Sequence, residues 1–430
     1  MSNLTEREEN RRRFLKYLAA SPLVGMGAQS ALAATGAELQ ERPSDPYIWY
    51  PPDPNYIAEK PEDAMDLFEM ESACHKKVPP AHFSSVSSAA DDDGGQIANR
   101  RAIMNVALRG HRGRDVSKVD TSVDLFGVKY SMPFFLCPTG VEKSFDPEGV
   151  IAALRASGRH NVGQILSTVA SATVAEANKA RNSTPVMHQL YHGVLTPVGN
   201  FEVTKAVMQR AEREGAKVTC ITVDGPSSRK SMQSERARRV DTRLCATCHE
   251  IRDPKRPKAV GRASEPPQFS EISKELMAQK PADPLTWELI KRLRDATKMQ
   301  VFLKGIMNPQ DAAMCVKYGY GVYVSNHGGR NEDTTAGTLS ALPDIVSVVK
   351  GKVPIFIDGG FRRGMDIVKA LAMGATMVGF GRPWLWGLGA FGEAGVDRVI
   401  QIVKAEVTAA MQQVGAASIK DLGSDIVFKP

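Results

Sequence analysis

The sequence lacks several features that mark common classes of protein. Beyond residue 35 it has no run apolar enough to cross a bilayer. It has no basic helical pattern interleaved with aromatic residues, which argues against nucleic acid as a partner although the formal net charge is +7. No Gly-x-Gly-x-x-Gly follows an early apolar run, so an open, doubly wound sheet that binds a dinucleotide is not favoured. What remains is an ordinary globular composition, 42% hydrophobic and 24% charged, in a chain of 430 residues.

The first 34 residues have the pattern of an export signal. The run Arg11-Arg12-Arg13-Phe14-Leu15-Lys16 precedes a weakly apolar stretch over 17–28, and Ala31-Leu32-Ala33 offers small residues for cleavage. This order is typical of a twin-arginine signal, which carries folded proteins into the bacterial periplasm. The alternative is a basic amphipathic helix of the mature protein. We therefore expect residues 1–34 to be a signal peptide and the protein to be periplasmic.

From residue 133 onward, short β-rich apolar runs alternate with amphipathic helical stretches. Eight such βα units favour an α/β fold, a (β/α)₈ TIM barrel, in which reactive residues lie at the carboxyl ends of the strands. We expect an N-terminal arm and helices over 35–125, the barrel over 126–430, and a long inserted loop over 227–283 after the fourth strand. The predicted strands are 134–137, 164–168, 186–191, 218–223, 300–304, 321–325, 353–357 and 376–381.

The stretch Ser325-Asn326-His327-Gly328-Gly329-Arg330 lies at the end of the sixth predicted strand. A histidine there can take a proton, glycines let the backbone approach a flat ring, and an arginine can clamp a carboxylate with two hydrogen bonds. The alternative is a glycine turn with a capping histidine. Glycine-rich loops also follow the seventh and eighth strands, beside Arg362 and Arg382. They favour a phosphate cradle at the barrel mouth over simple tight turns.

These residues resemble the FMN-dependent α-hydroxy-acid dehydrogenases and oxidases. The resemblance covers roughly residues 65–425. Its most specific motifs are the Ser325–Arg330 stretch and Asp358-Gly359-Gly360-Phe361-Arg362-Arg363-Gly364. Lys304-Gly305 and Gly381-Arg382-Pro383 support them. Spacing alone would predict a phosphate site with a His/Lys/Arg cluster; the flavin is implied by the resemblance.

The resemblance implies a role for each motif residue. His327 would be the base that takes a proton from the substrate, either from carbon or from the hydroxyl. Asp224 would hydrogen-bond that imidazole and stabilise its cation. Arg330 would bind the substrate carboxylate, and Tyr191 would contact the substrate oxygen. Lys304 would lie beside the pyrimidine edge of the flavin. The other residues implied to hold FMN are Thr139, Gly140, Ser167, Gln189, Thr222 and Ser325 around the ring and ribityl chain, and Asp358, Gly359, Gly360, Arg362, Gly381 and Arg382 around the ribityl hydroxyls and phosphate.

The chain departs from the family pattern in two places. A tyrosine that binds the substrate carboxylate is expected after Pro-Pro-Ala-His-Phe, where this chain has Ser84-Ser85-Val86-Ser87. A second arginine is expected after the fourth strand, where the chain offers Arg229 or Lys230. Losing one buried hydrogen bond to a charged group costs roughly 1.5–3 kcal/mol. These departures leave open a substrate bulkier than lactate, or one that is not a simple hydroxy acid.

The inserted loop carries a second motif, Cys245-Ala246-Thr247-Cys248-His249. Cys-x-x-Cys-His is the attachment signature of c-type haem, in which both thiols form thioethers and the histidine binds iron. A disulfide or another metal site is the alternative, but no second Cys or His pair is nearby to complete a zinc site. The sixth iron ligand stays open, with Met232, His75 and His82 as candidates.

Together these patterns predict an enzyme that uses FMN to oxidise a 2-hydroxy acid similar to L-lactate. Electrons would pass from FMN to the haem, and then to a soluble cytochrome or the respiratory chain. By analogy with the family, the protein would be a homo-oligomer, a tetramer. Two alternatives remain: an FMN enzyme without haem that acts on a different substrate, and a non-catalytic subunit that binds flavin or haem.

Overall fold

Eight parallel strands form a closed barrel in the computed structural model of the chain, as the sequence pattern predicts. The structure describes residues 56–192, 199–225, 231–241, 266–273, 275–276, 283–334 and 336–428. Each strand pairs with its sequence neighbours, and the eighth pairs with the first. The strands are β1 Phe134–Leu136, β2 Gly163–Ser167, β3 Met187–Tyr191, β4 Val218–Thr222, β5 Gln300–Lys304, β6 Gly321–Val324, β7 Ile355–Ile357 and β8 Met377–Phe380.

Helices surround the barrel and bury the outer faces of its strands. Half of the helices given below begin with a side-chain cap; Thr173, for example, accepts from the backbone N–H of Glu176. None of the helices in the described ranges has the length and apolar character that a bilayer crossing requires. Their bounds are α1 Leu67–Lys77, α2 Pro80–Ser87, α3 Gly94–Met104, α4 Val150–Arg159, α5 Val174–Arg181, α6 Phe201–Arg213, α7 Met232–Val240, α8 Trp287–Asp295, α9 Pro309–Tyr318, α10 Thr338–Val349, α11 Gly364–Ala372 and α12 Arg382–Val414.

The barrel interior has two layers because inward-facing residues recur at every second position of a strand. The lower layer is apolar and belongs to one buried cluster. The upper layer follows two residues later on each strand and is mostly polar. The lower layer consists of Phe135, Ile165, Met187, Cys220, Phe302, Tyr323, Phe356 and Met377, and the upper layer of Cys137, Ser167, Gln189, Thr222, Lys304, Ser325, Asp358 and Gly379.

A hairpin closes the lower end of the barrel. Strands Val123–Leu125 and Val128–Tyr130 pair antiparallel. Leu125, Val128 and Tyr130 are buried in the same cluster as the lower layer. The hairpin spans the expected boundary between residues 125 and 126, so the segment before the barrel contributes directly to its core.

The N-terminal helices α2 and α3 reach the opposite, upper end. The side chains of Asn99 on α3 and Asn326 donate to each other at 2.9 and 3.0 Å. Arg100 donates to the carbonyl oxygen of Gly360 at 2.6 Å and to Asp366 at 2.8 Å. These buried bonds fasten α3 to the loops after β6 and β7, where the candidate site lies.

Candidate active site

The upper end of the barrel contains a cavity of about 340 Å³, within the range of roughly 300–1,000 Å³ that is usual for small-molecule sites. Its walls come from the loops after the strands, from the end of α2 and from Pro266 and Pro267. The structure brings most of the sequence-predicted residues together there. Those that line the cavity are Thr139, Gly140, Tyr191, Lys304, His327, Arg330, Asp358, Gly359, Gly360, Arg362, Gly381 and Arg382.

His327 and Asp224 form a hydrogen-bonded pair at the ends of β6 and β4. Nδ1 of His327 lies 2.8 Å from Oδ1 of Asp224, and Nε2 lies 3.0 Å from the hydroxyl of Tyr191. With Nδ1–H donating to the carboxylate, Nε2 is the acceptor nitrogen on the side of Tyr191. The imidazole is thus oriented as a general base should be, with a carboxylate ready to stabilise its cation.

The charges around this pair set its protonation. Burial would raise the pKa of Asp224, but the nearby charges of His327 and Lys304 and its hydrogen bonds outweigh that effect and lower the pKa to about 2. Burial lowers the pKa of His327; Asp224 opposes that shift, while Lys304 and Arg330 add to it. At neutral pH the site therefore holds a carboxylate beside a neutral imidazole that can accept a proton.

Lys304 is the buried cation of the upper layer. Its Nζ lies 3.7 Å from Oδ2 of Asp224 and donates to the hydroxyl of Ser325 at 3.1 Å. Ser325 in turn donates to Oδ1 of Asp358 at 2.6 Å, and Tyr323 donates to Oδ2 at 2.8 Å. Burial would lower the pKa of Lys304, but the carboxylates of Asp224 and Asp358 raise it above its usual value. The ammonium group is therefore charged at any physiological pH.

Three other predicted residues form a buried chain of hydrogen bonds in the upper layer. The hydroxyl of Ser167 donates to Oε1 of Gln189 at 2.9 Å, and Nε2 of Gln189 donates to Thr222 at 2.7 Å. Like Ser325 and Asp224, they are not among the residues that line the cavity, so they lie behind its surface. These three side chains therefore support the residues that line the cavity.

The arginines of the site are held by backbone carbonyl groups. Nη1 of Arg330 donates to the carbonyl oxygen of Val86 at 2.9 Å. Arg382 donates to the same oxygen at 2.9 Å and to the carbonyl oxygen of Ser88 at 3.0 Å. Arg362 is buried, with its guanidinium 4.8 Å from the ring of Trp386. The carbonyl groups at the end of α2 therefore position Arg330 and Arg382 beside the cavity.

The backbone at His327 is left-handed. His327 has φ of 56°, and Gly328 and Gly329 follow with 65° and 76°. Few residues other than glycine adopt this conformation, although His is enriched there together with Asn and Asp, and it costs of order 1–3 kcal/mol. Asn326 holds the turn, since its side-chain oxygen accepts from the N–H of Gly329 at 3.1 Å. The turn directs the imidazole toward Asp224.

The structure describes one of the two departures from the family pattern, the missing tyrosine, but not the other, the second arginine. Ser85 and Val86 line the cavity where the resemblance expects a tyrosine, so that part of the wall is less bulky and carries no phenol. Arg229 and Lys230 lie outside the described residues, as do the signal segment 1–34 and Cys245, Cys248 and His249.

The candidate sixth haem ligands are spread over different surroundings. His82 is buried, and its Nδ1 lies 2.9 Å from the carbonyl oxygen of Ser144. His75 stacks at a tilt on Phe83, with ring centroids 4.6 Å apart, and Met232 is 43% exposed. Of the three, Met232 on α7 is the one closest in sequence to the Cys-x-x-Cys-His motif, and it is accessible.

Two features of the site were not predicted from the sequence. Asn331 donates to Oδ1 of Asp224 at 3.2 Å and lies 2.9 Å from Nδ1 of His327. Its place directly after the Ser325–Arg330 stretch is a signal that would have found it. Pro266 and Pro267 line the cavity from the far end of the inserted loop, and nothing in their local sequence indicates that contact.

The residues of the cavity fit FMN. The hydroxyl oxygen of Thr139 is buried and has no hydrogen-bond partner within the described part of the chain, so it is available to a ligand. A methyl group placed on Gly381 would meet only Cβ of Cys137, at 3.9 Å, so the space beside that glycine is open. Gly359 and Gly360 have φ of 103° and 85°, which frees their loop to turn tightly at the cavity wall. A buried cation, the open space beside Gly381 and an available hydroxyl suit a flat ring with a phosphate tail.

Comparison with known proteins gives a consistent result. The family model described as FMN-dependent dehydrogenase matches residues 74–429. The chain is 35% identical over 364 residues to an L-lactate oxidase of Lysinibacillus sphaericus, covering 84% of this chain and 92% of the relative. It is 31% identical over 370 residues to an L-lactate dehydrogenase (cytochrome) of Wickerhamomyces anomalus, covering 84% of this chain and 61% of the relative. A soluble mutant of the membrane-associated (S)-mandelate dehydrogenase from Pseudomonas putida shares the fold, with a TM-score of 0.74 at 27% identity over 85% of this chain and 99% of that one.

Proposed function

The chain belongs to the FMN-dependent dehydrogenase family, and on that premise we propose that it oxidises a 2-hydroxy acid to the 2-oxo acid. The observation that carries the proposal is the cluster of His327, Asp224, Tyr191 and Lys304 at one end of the barrel, with its 2.8 and 3.0 Å hydrogen bonds. The oxidation removes two electrons and two protons from the hydroxy acid: the imidazole, supported by its carboxylate partner, would take one proton, and bound FMN would take the two electrons with the other proton, beside the buried cation.

In this proposal each side chain has one task. Arg330 binds the substrate carboxylate, and the hydroxyl of Tyr191 orients the substrate oxygen. Nε2 of His327 takes a proton from the substrate, from carbon or from the hydroxyl, and Asp224 stabilises the resulting imidazolium. FMN, when bound, supplies the two-electron acceptor. Lys304, Thr139 and Gly140 would hold the ring, and the glycine loops with Arg362 and Arg382 would hold the ribityl phosphate.

The experiment is anaerobic mixing of the purified, FMN-loaded protein with L-lactate or L-mandelate. We expect bleaching of the flavin absorbance and formation of one 2-oxo acid per flavin reduced. A matched reaction with the D-enantiomer and with a simple alcohol shows whether carboxylate and configuration matter. A flavin that stays oxidised with every 2-hydroxy acid tested would favour the alternative, a non-catalytic flavin-binding subunit.

We further propose that electrons leave the flavin for a c-type haem on the inserted loop. Cys245, Cys248 and His249 form the attachment pattern, and a relative is named as a cytochrome-linked lactate dehydrogenase.

Helix α7, which precedes the Cys-x-x-Cys-His motif in the chain, is bonded to the site at its N-terminal end. The hydroxyls of Ser231, its N-cap, and Ser88 lie 2.5 Å apart, and the carbonyl of Ser88 accepts from Arg382.

A pyridine haemochrome spectrum of the protein expressed with its export signal tests the haem. The double variant Cys245→Ser/Cys248→Ser should lose the c-type α-band and cytochrome reduction but keep anaerobic flavin bleaching.

Absence of the α-band in the wild-type protein would favour the second candidate, an FMN oxidase without haem. The relative named L-lactate oxidase is the observation that supports it. Stoichiometric hydrogen peroxide in air, with no reduction of added cytochrome, would identify that activity.

We propose periplasmic localisation from the twin-arginine pattern of residues 1–34. Periplasmic fractionation of the wild type and of Arg11→Lys/Arg12→Lys tests it, and the variant should stay in the cytoplasm. By analogy with the family we also infer a homo-oligomer, a tetramer, which light scattering on the FMN-loaded protein would measure.

A further inference from the structure

A short segment of the inserted loop returns to the barrel and is fixed there. Residues Pro267–Phe269 form one turn of 3₁₀ helix, with Pro266 as the preceding residue. Gln268 and Phe269 are buried at 3% and 4% exposure. Pro266 and Pro267 line the active-site cavity. We call the surface formed by Pro266, Pro267 and Val169 the proline wall, because Val169 lines the same cavity at the end of β2.

A buried histidine that the proposed reaction does not use holds this segment. His188 in β3 is fully buried, and its Nε2 lies 3.0 Å from Oε1 of Gln268. Its Nδ1 lies 3.2 Å from the hydroxyl of Thr219. Burial lowers the pKa of His188 to about 4, so the ring is neutral, with Nε2–H donating to Gln268. The amide nitrogen of Gln268 then donates to the carbonyl oxygen of Ser167 at 2.5 Å.

Arg210 on α6 holds the same segment from the other side. Its Nη1 donates to the carbonyl oxygens of Pro267 and Gln268 at 3.0 and 3.1 Å and to the hydroxyl of Ser270 at 3.1 Å. The guanidinium is itself fixed by Glu214, at 2.7 Å from Nε. Charge-assisted bonds of this kind are strong when buried, so the segment cannot retreat without breaking several of them.

The proline wall lines the same cavity as Tyr191, the residue that would touch the reacting oxygen. Ser167, which accepts from Gln268, ends β2, and Tyr191 ends the neighbouring strand β3. The N–H of Tyr191 donates to Thr168 at 3.2 Å, which ties the two strand ends together. Under the proposed function, Arg330 takes the carboxylate, and Tyr191 and His327 take the hydroxyl carbon. The remaining substituent of the substrate then faces an apolar, rigid surface.

Resting on that proposed function, we propose that the proline wall is the side-chain subsite and that it selects 2-hydroxy acids with an apolar side chain larger than methyl. His188, Gln268 and Arg210 act as positioning residues for the wall. Proline rings have a fixed φ and little freedom to adapt. Because the wall cannot collapse onto a small substrate, glycolate or lactate would leave it without contacts.

The test compares substrates and 2-oxo acids on the FMN-loaded, full-length protein. For the wild type, kcat/KM should be at least about tenfold higher for L-2-hydroxy-4-methylpentanoate than for L-lactate, since each methylene in an apolar pocket changes rates by roughly 10–200-fold. The dissociation constants of 4-methyl-2-oxopentanoate and pyruvate, measured by calorimetry, should differ in the same direction. This second readout does not depend on turnover.

Gln268→Ala should reduce the ratio of kcat/KM values several-fold, while FMN content stays the same. Gln209→Ala is the control: it removes a glutamine bond of 3.1 Å to the carbonyl oxygen of Ala296, and since neither residue lines the cavity it should leave the ratio unchanged. If Gln268→Ala does not fold, Pro267→Ala takes its place and should also reduce the ratio of kcat/KM values, whereas its control, Pro309→Ala, should not.

Preference of the wild type for lactate or glycolate, with the flavin still reduced, would overturn the subsite while leaving the proposed function intact. An equal ratio for Gln268→Ala, Pro267→Ala and their controls would also overturn it. If no 2-hydroxy acid reduces the flavin and no 2-oxo acid binds, the proposed function fails together with the subsite.

Discussion

The two layers inside the barrel are built by the same strands but have opposite character. On β5, Phe302 and Lys304 are two residues apart; one stacks on Phe356 with ring centroids 4.1 Å apart, and the other pairs with Asp224 at 3.7 Å. The lower layer is apolar and closed by the hairpin, whereas the upper layer is polar and opens into the cavity. The same alternation of inward-facing residues therefore supplies an apolar layer for stability and a polar layer for chemistry. We expect that substitutions can change either layer without the other.

The largest expected effect is in the chemistry of the upper end. Replacing the proposed base, His327→Asn, should reduce kcat/KM by about 10²–10⁴-fold, because a positioned general base typically contributes that factor. The melting temperature of the FMN-loaded protein should change little. His111→Asn is the control, since His111 is an exposed side chain paired with Asp425 at 2.8 Å, away from the cavity. A variant that keeps more than a tenth of wild-type activity would remove His327 from the reaction.

The next largest expected effect is on the free energy of unfolding, through the lower layer. Phe356 is completely buried, and Phe→Ala in a core typically costs about 3–5 kcal/mol. We expect Phe356→Ala to lower the free energy of unfolding by that amount in urea, while the folded fraction keeps its kcat. Phe428→Ala, at a site that is 47% exposed, should change stability by about 0.5 kcal/mol or less. Loss of kcat without loss of stability would show that the two layers are not separable.

A smaller difference should appear in how stability depends on pH. The pKa of His327 is lowered by burial in the folded protein, so the unfolded state binds more protons once the pH falls below about 6.5. Stability is therefore lost on acidification, by at most about 1.4 kcal/mol per pH unit for one group. Between pH 7.5 and 5.5, His327→Asn should lose less stability than the wild type, whereas Phe356→Ala should keep the wild-type slope. Parallel curves for all three proteins would contradict this assignment.

The smallest expected effect concerns Asn331, which supports the His327–Asp224 pair. Asn331→Ala removes a donor to Asp224, and because other donors remain, we expect about a fivefold loss of kcat/KM, or roughly 1 kcal/mol. The acid limb of the pH profile should shift as well, since Asp224 sets the basicity of His327. Asn331→Gln keeps an amide and should restore most of the activity. An unchanged acid limb would leave Asn331 with a purely structural role.

The barrel and the side chains at its upper end could be predicted from the sequence because both depend on local patterns. Buried parallel strands are continuously apolar, and the residue that follows each one faces the cavity in a barrel. This reasoning located His327 and Lys304 and also Asp358, although their roles remain predictions. The observed strand ends differ from the predicted ones by at most two residues.

Contacts between distant segments could not be predicted. The bond from Arg330 to the carbonyl of Val86 joins residues 244 apart in sequence, and that from Gln268 to His188 joins residues 80 apart. Carbonyl groups have no sequence signature, and a glutamine in a polar loop gives no sign that it will be buried. The supports of the site therefore became visible only in three dimensions.

The left-handed turn at His327 restricts which residues evolution or an engineer can try at this position. Most replacements would have to distort the turn before they could offer any new chemistry, and branched side chains would be the worst tolerated. Asparagine, aspartate and glycine fit the backbone, yet none of them is a base with the reach of an imidazole. The loop thus acts as a filter on mutation, so a weakened enzyme has few single-step routes to a different base and more routes through changes in the surrounding walls.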